Sequence, residues 1–132
     1  MAIRGLTGWL GVVLGTPDPL RLARFYSRLF GWEISSEDDP TWVTIQVPDL
    51  PANLAFGLEH VYDRPVWPSE PGRQQMMVHL DIGVSDVDAA VADAVALGAT
   101  VAEWQPQDDV RVLLDPDGHP FCLYLDAEDA SG

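Results

Sequence analysis

The reactive side chains of this sequence are few: one cysteine, Cys122, three histidines, His60, His79 and His119, and a surplus of carboxylates. Met76 to Val84 alternates as a strand, with Val78, Leu80, Ile82 and Val84 on one face and Met77, His79 and Asp81 on the other. Phe121 to Leu125 alternates too, so Cys122 and Tyr124 share a face opposite Phe121, Leu123 and Leu125. Imidazole and thiolate are both zinc ligands, and the Asp81 carboxylate would add a third donor and leave one position open. Facing each other, the same cysteine and histidine would make a thiolate–imidazolium nucleophile. The plainer reading is a histidine that hydrogen-bonds within a pocket and a cysteine that fills space. No Ser-His-Asp spacing or nucleophile elbow occurs, and His60 and His119 read as solvated groups beside turns.

Five tryptophans offer flat apolar walls for planar organic molecules. Trp9 shares a strand face with Gly11 and Val13, which makes it the pocket candidate. Trp42 and Trp104 fit core or dimer contacts equally well. Trp67 lies among Pro65, Pro68 and Pro71, as a lid or as an anchor on a partner.

Composition narrows the rest. The net charge of −14 comes from 21 acidic residues against seven arginines, with no lysine. Nucleic acid is therefore not an expected partner, because backbone phosphates need a basic footprint. Schiff-base chemistry and a lysine-bearing P-loop are excluded. One cysteine makes no internal disulfide. No apolar run reaches membrane-spanning length and MAIRGLTGW lacks a signal-peptide core, so no membrane partner and a cytoplasmic location are expected.

The elements that must position these groups come in two rounds within a single domain, 1–132. An apolar run from Trp9 to Thr16 meets Pro17-Asp18-Pro19, where Asp18 caps a helix and Pro19 takes its first position. Leu22, Phe25, Tyr26, Leu29 and Phe30 recur at helical spacing until Gly31. Strands are predicted at Trp32–Ser35, Thr41–Val47 and Asn53–Leu58. Residues 59–75 read as a linker or a loop over a pocket mouth. The order then restarts: strand 76–84, a helix capped at Ser85 with Val87, Val91, Ala94 and Val95 on one face, the stop Gly98, and strands Thr100–Trp104, Val110–Leu114 and Phe121–Leu125. Asp115-Pro116-Asp117-Gly118 is the turn of the last hairpin. Asp18 and Asp86 are 68 residues apart, Gly31 and Gly98 are 67. The predicted fold is α+β, two βαβββ modules, 7–58 and 76–126, whose curved mixed sheets enclose a cleft. His79 points into it, and the matching position 68 residues earlier is Gly11.

HLDIGVSDVDAAVADAVALGA from His79, LLDPDGHPFCLYL at the end, and Pro17-Asp18, Phe25-Tyr26 and Leu29-Phe30-Gly31-Trp32 carry a family likeness. From Trp9 to Leu125 the chain resembles the vicinal oxygen chelate superfamily, the group of glyoxalase I, bleomycin-resistance proteins and extradiol dioxygenases. The resemblance implies a homodimer and, in metal-using members, four inward His and Glu ligands on the first, fourth, fifth and eighth strands. Here those positions fall on Gly11, approximately Gly57, His79 and Cys122. Two glycines offer no side-chain donor and a thiol stands where a carboxylate is expected, with Glu59 a further candidate if the fourth-strand register shifts by two. The expected function is thus a metal-independent pocket for a small organic molecule, lined by Trp9, Gly11, Gly57, Met77, His79, Asp81, Cys122 and Tyr124, with no cofactor. The alternative is a metal-dependent lyase or isomerase of glyoxalase type with one divalent ion on His79 and Cys122.

Overall fold

The computed structural model describes residues 2–126. The chain forms two compact units that divide between Tyr62 and Asp63. In the first, β1 (Leu10–Thr16), β2 (Ile34–Asp39), β3 (Trp42–Gln46) and β4 (Ala52–Leu58) form one sheet in the order β1-β4-β3-β2. β1 and β4 run parallel, the other pairs antiparallel. Helix α1 (Pro19–Phe30) starts as the sequence dictates, its Asp18 carboxylate accepting the Arg21 N–H at 3.2 Å, and stops at Gly31 in the left-handed region. Its apolar stripe places Tyr26 against Phe56, ring centroids 5.6 Å apart, over buried Val43, Ile45 and Leu54.

The second unit repeats the plan with β5 (Leu80–Val84), β6 (Thr100–Val101), β7 (Val110–Leu114) and β8 (Pro120–Leu125), in the order β5-β8-β7-β6. Helix α2 (Val87–Leu97) lies against β6, β7 and β8. The α+β class and the two βαβββ modules are as the sequence implies.

Several boundaries differ. The strand predicted over 76–84 begins only at Leu80, because its parallel partner β8 starts at Pro120, just after a turn, and nothing runs beside 76–79. The cap of α2 is Asp86, whose Oδ1 accepts the Ala89 N–H at 3.0 Å, not Ser85. Val95 turns outward, and Ala94 is the buried residue of that helix. β6 keeps two residues of the predicted five, and β2 extends to Asp39. Much of the stretch read as a linker belongs to the second unit. Val66 bridges to Gln75, the Trp67 indole donates to the Trp104 carbonyl at 3.1 Å with the two rings 5.3 Å apart, and Arg64 donates to the Pro116 carbonyl at 2.8 Å.

The final turn closes with the Gly118 N–H bonded to the Asp115 carbonyl and Gly118 at φ 93°. His119 is not the solvated group expected. Its Nδ1 sits 2.7 Å from Asp115 Oδ2, with side-chain exposures of 13% and 0%. Asp115 Oδ1 also accepts the N–H groups of Asp117 and His119. A buried carboxylate must have its lone pairs taken, and this turn brings two N–H donors and the His119 ring to it locally. No helix among the described residues is long and apolar enough to cross a membrane.

Candidate functional site

The helix-free face of the second sheet collects the reactive groups. β5 and β8 run parallel with Asp81 opposite Cys122 and Gly83 opposite Tyr124. Period-two alternation puts those four, with His79 just ahead of the strand, on the side away from α2. His79 Nε2 lies 3.3 Å from Asp81 Oδ1, with side-chain exposures of 39% and 62%. Cys122 is half-buried. One donor atom from each of His79, Asp81 and Cys122 lies within 4.8 Å of the others, the only such group of metal-competent side chains among the described residues.

Burial raises the Cys122 thiol above its ordinary range, and the nearby Asp81 charge and the thiol's hydrogen bond to that carboxylate raise it further. The thiol therefore keeps its proton at neutral pH, and Asp81 links thiol and imidazole in one polar chain. A carboxylate beside a thiol opposes its ionisation, which works against a thiolate–imidazolium pair here.

One rung further, Gly83 makes room for a second polar pair. A methyl group there would meet Asp126 Cβ at 3.0 Å, Asp126 Oδ2 at 3.1 Å and Tyr124 Oη at 3.2 Å. Asp126 is held in place by its N–H bond to the Val84 carbonyl at 2.8 Å. Sequence reading missed it, although the signal was present. Glu59 occupies the matching place in the first unit, bonding its N–H to Thr16 and folding its side chain over Gly15, 68 residues before Gly83.

The other predicted pocket residues lie elsewhere. Met77 is 80% exposed and outside any strand. Trp9, Gly11 and Gly57 belong to the first unit, on the helix-free face of its own sheet. There the Asn53 amide crowds Gly11 with the Trp9 indole beside it, and the Trp42 ring and a Val13 methyl lie against Gly57. Gly57 pairs with Gly15, so it corresponds to Tyr124. The counterpart of Cys122 is Ala55, which faces Val13 as Cys122 faces Asp81. The register assumed for β4 was off by two, toward Ala55 and away from Glu59. Neither Gly11 nor Ala55 offers a donor. A separate cavity of about 260 Å³ at the start of α2, lined by Asp86, Asp88, Asp108, Asp109 and Arg111, includes none of His79, Asp81 and Cys122.

Two βαβββ modules repeated in tandem, each with one helix on a four-stranded mixed sheet, are the plan of the vicinal oxygen chelate superfamily. Residues 11–124 match the glyoxalase-like domain family, and the chain belongs to it. Its fold is similar to that of a glyoxalase-related enzyme from Fulvimarina pelagi (22% identity, 92% of this chain and 90% of that one, TM-score 0.65). It is similar too to a glyoxalase/bleomycin resistance protein/dioxygenase family enzyme from Burkholderia phytofirmans PsJN (20% identity, 87% and 95%, TM-score 0.64). A lactoylglutathione lyase from Agrobacterium tumefaciens shares the fold at 16% identity (92% and 96%, TM-score 0.59). No curated protein is significantly similar to the chain in sequence.

Proposed function

We propose that the chain binds a small carbonyl-bearing or planar organic molecule on the helix-free face of its second sheet, to sequester or convert it. The observation that supports this is the Asp81–Cys122 rung with His79 just ahead of it, and the Gly83–Tyr124 rung with Asp126 folded over Gly83. His79 and Tyr124 are reachable donors for a ligand oxygen, while Asp81 holds the imidazole in position. The neutral thiol adds a polarizable apolar surface. Homodimer formation and a cytoplasmic location belong to this reading as proposals.

Calorimetric titration with small dicarbonyl and planar aromatic compounds tests it. His79→Ala and Tyr124→Phe should each weaken binding by about 3- to 10-fold, the worth of one hydrogen bond. Wild-type affinity in both variants, or no binding across the panel, sinks the reading.

A second reading, a metal-dependent lyase or isomerase of glyoxalase type, gains from the approach of the three donors. Their chemistry, one imidazole, one carboxylate and one thiol, fits a single divalent ion even without donors at Gly11 and Ala55. Such an ion, held by His79, Asp81 and Cys122, would supply Lewis acidity toward a carbonyl oxygen. Tyr124 and Asp126, one rung away, would then hold or move the proton of the bound molecule. Metal content of protein purified without chelators, compared with a His79→Ala variant, separates the two readings.

A further inference from the structure

We propose that the ligand of the second helix-free face carries a protonated amine beside a hydroxyl or carbonyl oxygen, the amine held by the Asp126 carboxylate and the oxygen by the Tyr124 hydroxyl. The proposal rests on the reading that this face binds a small organic molecule, and it adds the charge and the functional groups of that molecule. Asp126 Oδ2 and Tyr124 Oη lie 3.1 Å and 3.2 Å from the point where a side chain on Gly83 would begin, so both oxygens stand over the bare glycine, within reach of one small group. Each side chain leaves fixed backbone: Tyr124 pairs with Gly83 in the β5–β8 ladder, and the Asp126 N–H bonds to the Val84 carbonyl at 2.8 Å. Among the described residues neither the Asp126 carboxylate nor the Tyr124 hydroxyl has a hydrogen-bond partner. Asp126 is nevertheless half-buried. A carboxylate in that position calls for donors, and an ammonium N–H is the strongest that a small molecule brings.

The rest of the face selects the same charge. Asp81 is engaged by the His79 imidazole at 3.3 Å and by the Cys122 thiol, so it adds negative charge while its oxygens already serve protein groups. The second unit has three arginines and no lysine, and each guanidinium is held elsewhere. Arg64 donates to the Pro116 carbonyl, Arg73 pairs with Glu70, and Arg111 donates to the Gln107, Asp108 and Val110 carbonyls. A ligand carboxylate or phosphate would thus meet two carboxylates and no arginine of this unit, whereas an ammonium meets complementary charge. Two residues of β5 span about 7 Å, so a molecule with its amine at the Gly83 rung lays its body over the neutral Cys122 thiol and turns its far end toward His79.

Calorimetric titration at neutral pH with three probes of one shape tests this: phenylethanolamine, a cation; phenylethylene glycol, neutral; and mandelate, an anion. The amine should bind about 10-fold or more tighter than the glycol, the worth of a charge-assisted hydrogen bond, and mandelate more weakly than either. Added salt should narrow the preference for the amine. Asp126→Asn keeps the size of the side chain and the backbone bond to Val84; it should abolish that preference and leave glycol affinity within about 2-fold. Tyr124→Phe, which removes the partner of the shared oxygen, should weaken amine and glycol alike by about 3- to 10-fold. Equal affinity for amine and glycol, a preference for mandelate, or an amine preference that survives Asp126→Asn overturns the proposal. Glycol binding that depends on His79 but shows no amine preference would remove the amine and leave the small-molecule reading standing. Silence from all three probes overturns the proposal too, and the dicarbonyl and planar panel then decides the wider reading by itself.

Discussion

The two units share a plan and differ in what they put on it. Each packs one helix on a four-stranded mixed sheet, and each folds a carboxylate over a glycine at the end of its parallel pair of strands, Glu59 over Gly15 and Asp126 over Gly83. On the first helix-free face the positions that matter are Gly11, Val13 and Ala55, flanked by Trp9 and Trp42. On the second the same register carries His79, Asp81 and Cys122. Duplication therefore preserved the scaffold while polar chemistry came to one copy and aromatic surface to the other. The scaffold depends on buried apolar contacts that tolerate little change, whereas the helix-free faces are free to diverge.

The largest effect tests the shared scaffold. Phe56→Ala and its counterpart Leu123→Ala, both buried under a helix, should each cost about 3–4 kcal/mol by chemical denaturation. A negligible loss in one unit would mean that the two cores are not equivalent. Next come the hairpin turns. Asp115→Ala removes a buried carboxylate from two backbone N–H groups and an imidazole and should cost about 3 kcal/mol. The first hairpin is tied instead by the exposed Gln46 amide donating to the Leu50 and Ala52 carbonyls, so Gln46→Ala should cost at most about 1 kcal/mol. Equal losses would erase that distinction.

Smaller still, Gly83→Ala should cost about 1 kcal/mol, because a methyl group must displace Asp126 and Tyr124. Gly57→Ala meets the Trp42 ring at 3.4 Å and a Val13 methyl at 3.5 Å, both near ordinary contact, and should stay within about 0.5 kcal/mol. The last effect is kinetic. With its thiol raised by burial and by Asp81, Cys122 should alkylate more slowly than a free cysteine at neutral pH and accelerate only at a more alkaline pH than a free cysteine does. Asp81→Asn should speed the reaction at neutral pH. Alkylation at the rate of an unperturbed thiol would show that Asp81 does not touch it.

Much of the fold was legible because its signals are local. Asp18, Pro19 and Gly31 bound α1, Gly98 stops α2, and the repeat distance announces the second module. Strand ends were less so. Whether Met77 and Val78 pair depends on where β8 begins, a fact of tertiary partnership that alternation alone does not carry. His119 was misread because the Asp115 carboxylate that buries it acts across a turn whose interior the sequence does not reveal. Within the site, His79, Cys122 and Tyr124 followed from alternation. Gly57 was placed two residues from the true counterpart of Cys122, since parallel register is set by the ladder. Asp126, beyond the last strand, escaped a reading that stopped where alternation stopped.

The central claim is that the second helix-free face, not the first, carries the chemistry. Titrating isotopically labelled protein with zinc and, separately, with a small dicarbonyl compound, and following backbone amide and imidazole resonances, tests it residue by residue. Shifts confined to His79–Gly83 and Cys122–Asp126, with Leu10–Gly15 and Asn53–Gly57 unmoved, are the predicted result. Shifts centred on the first unit, or none at His79 and Cys122, would contradict it.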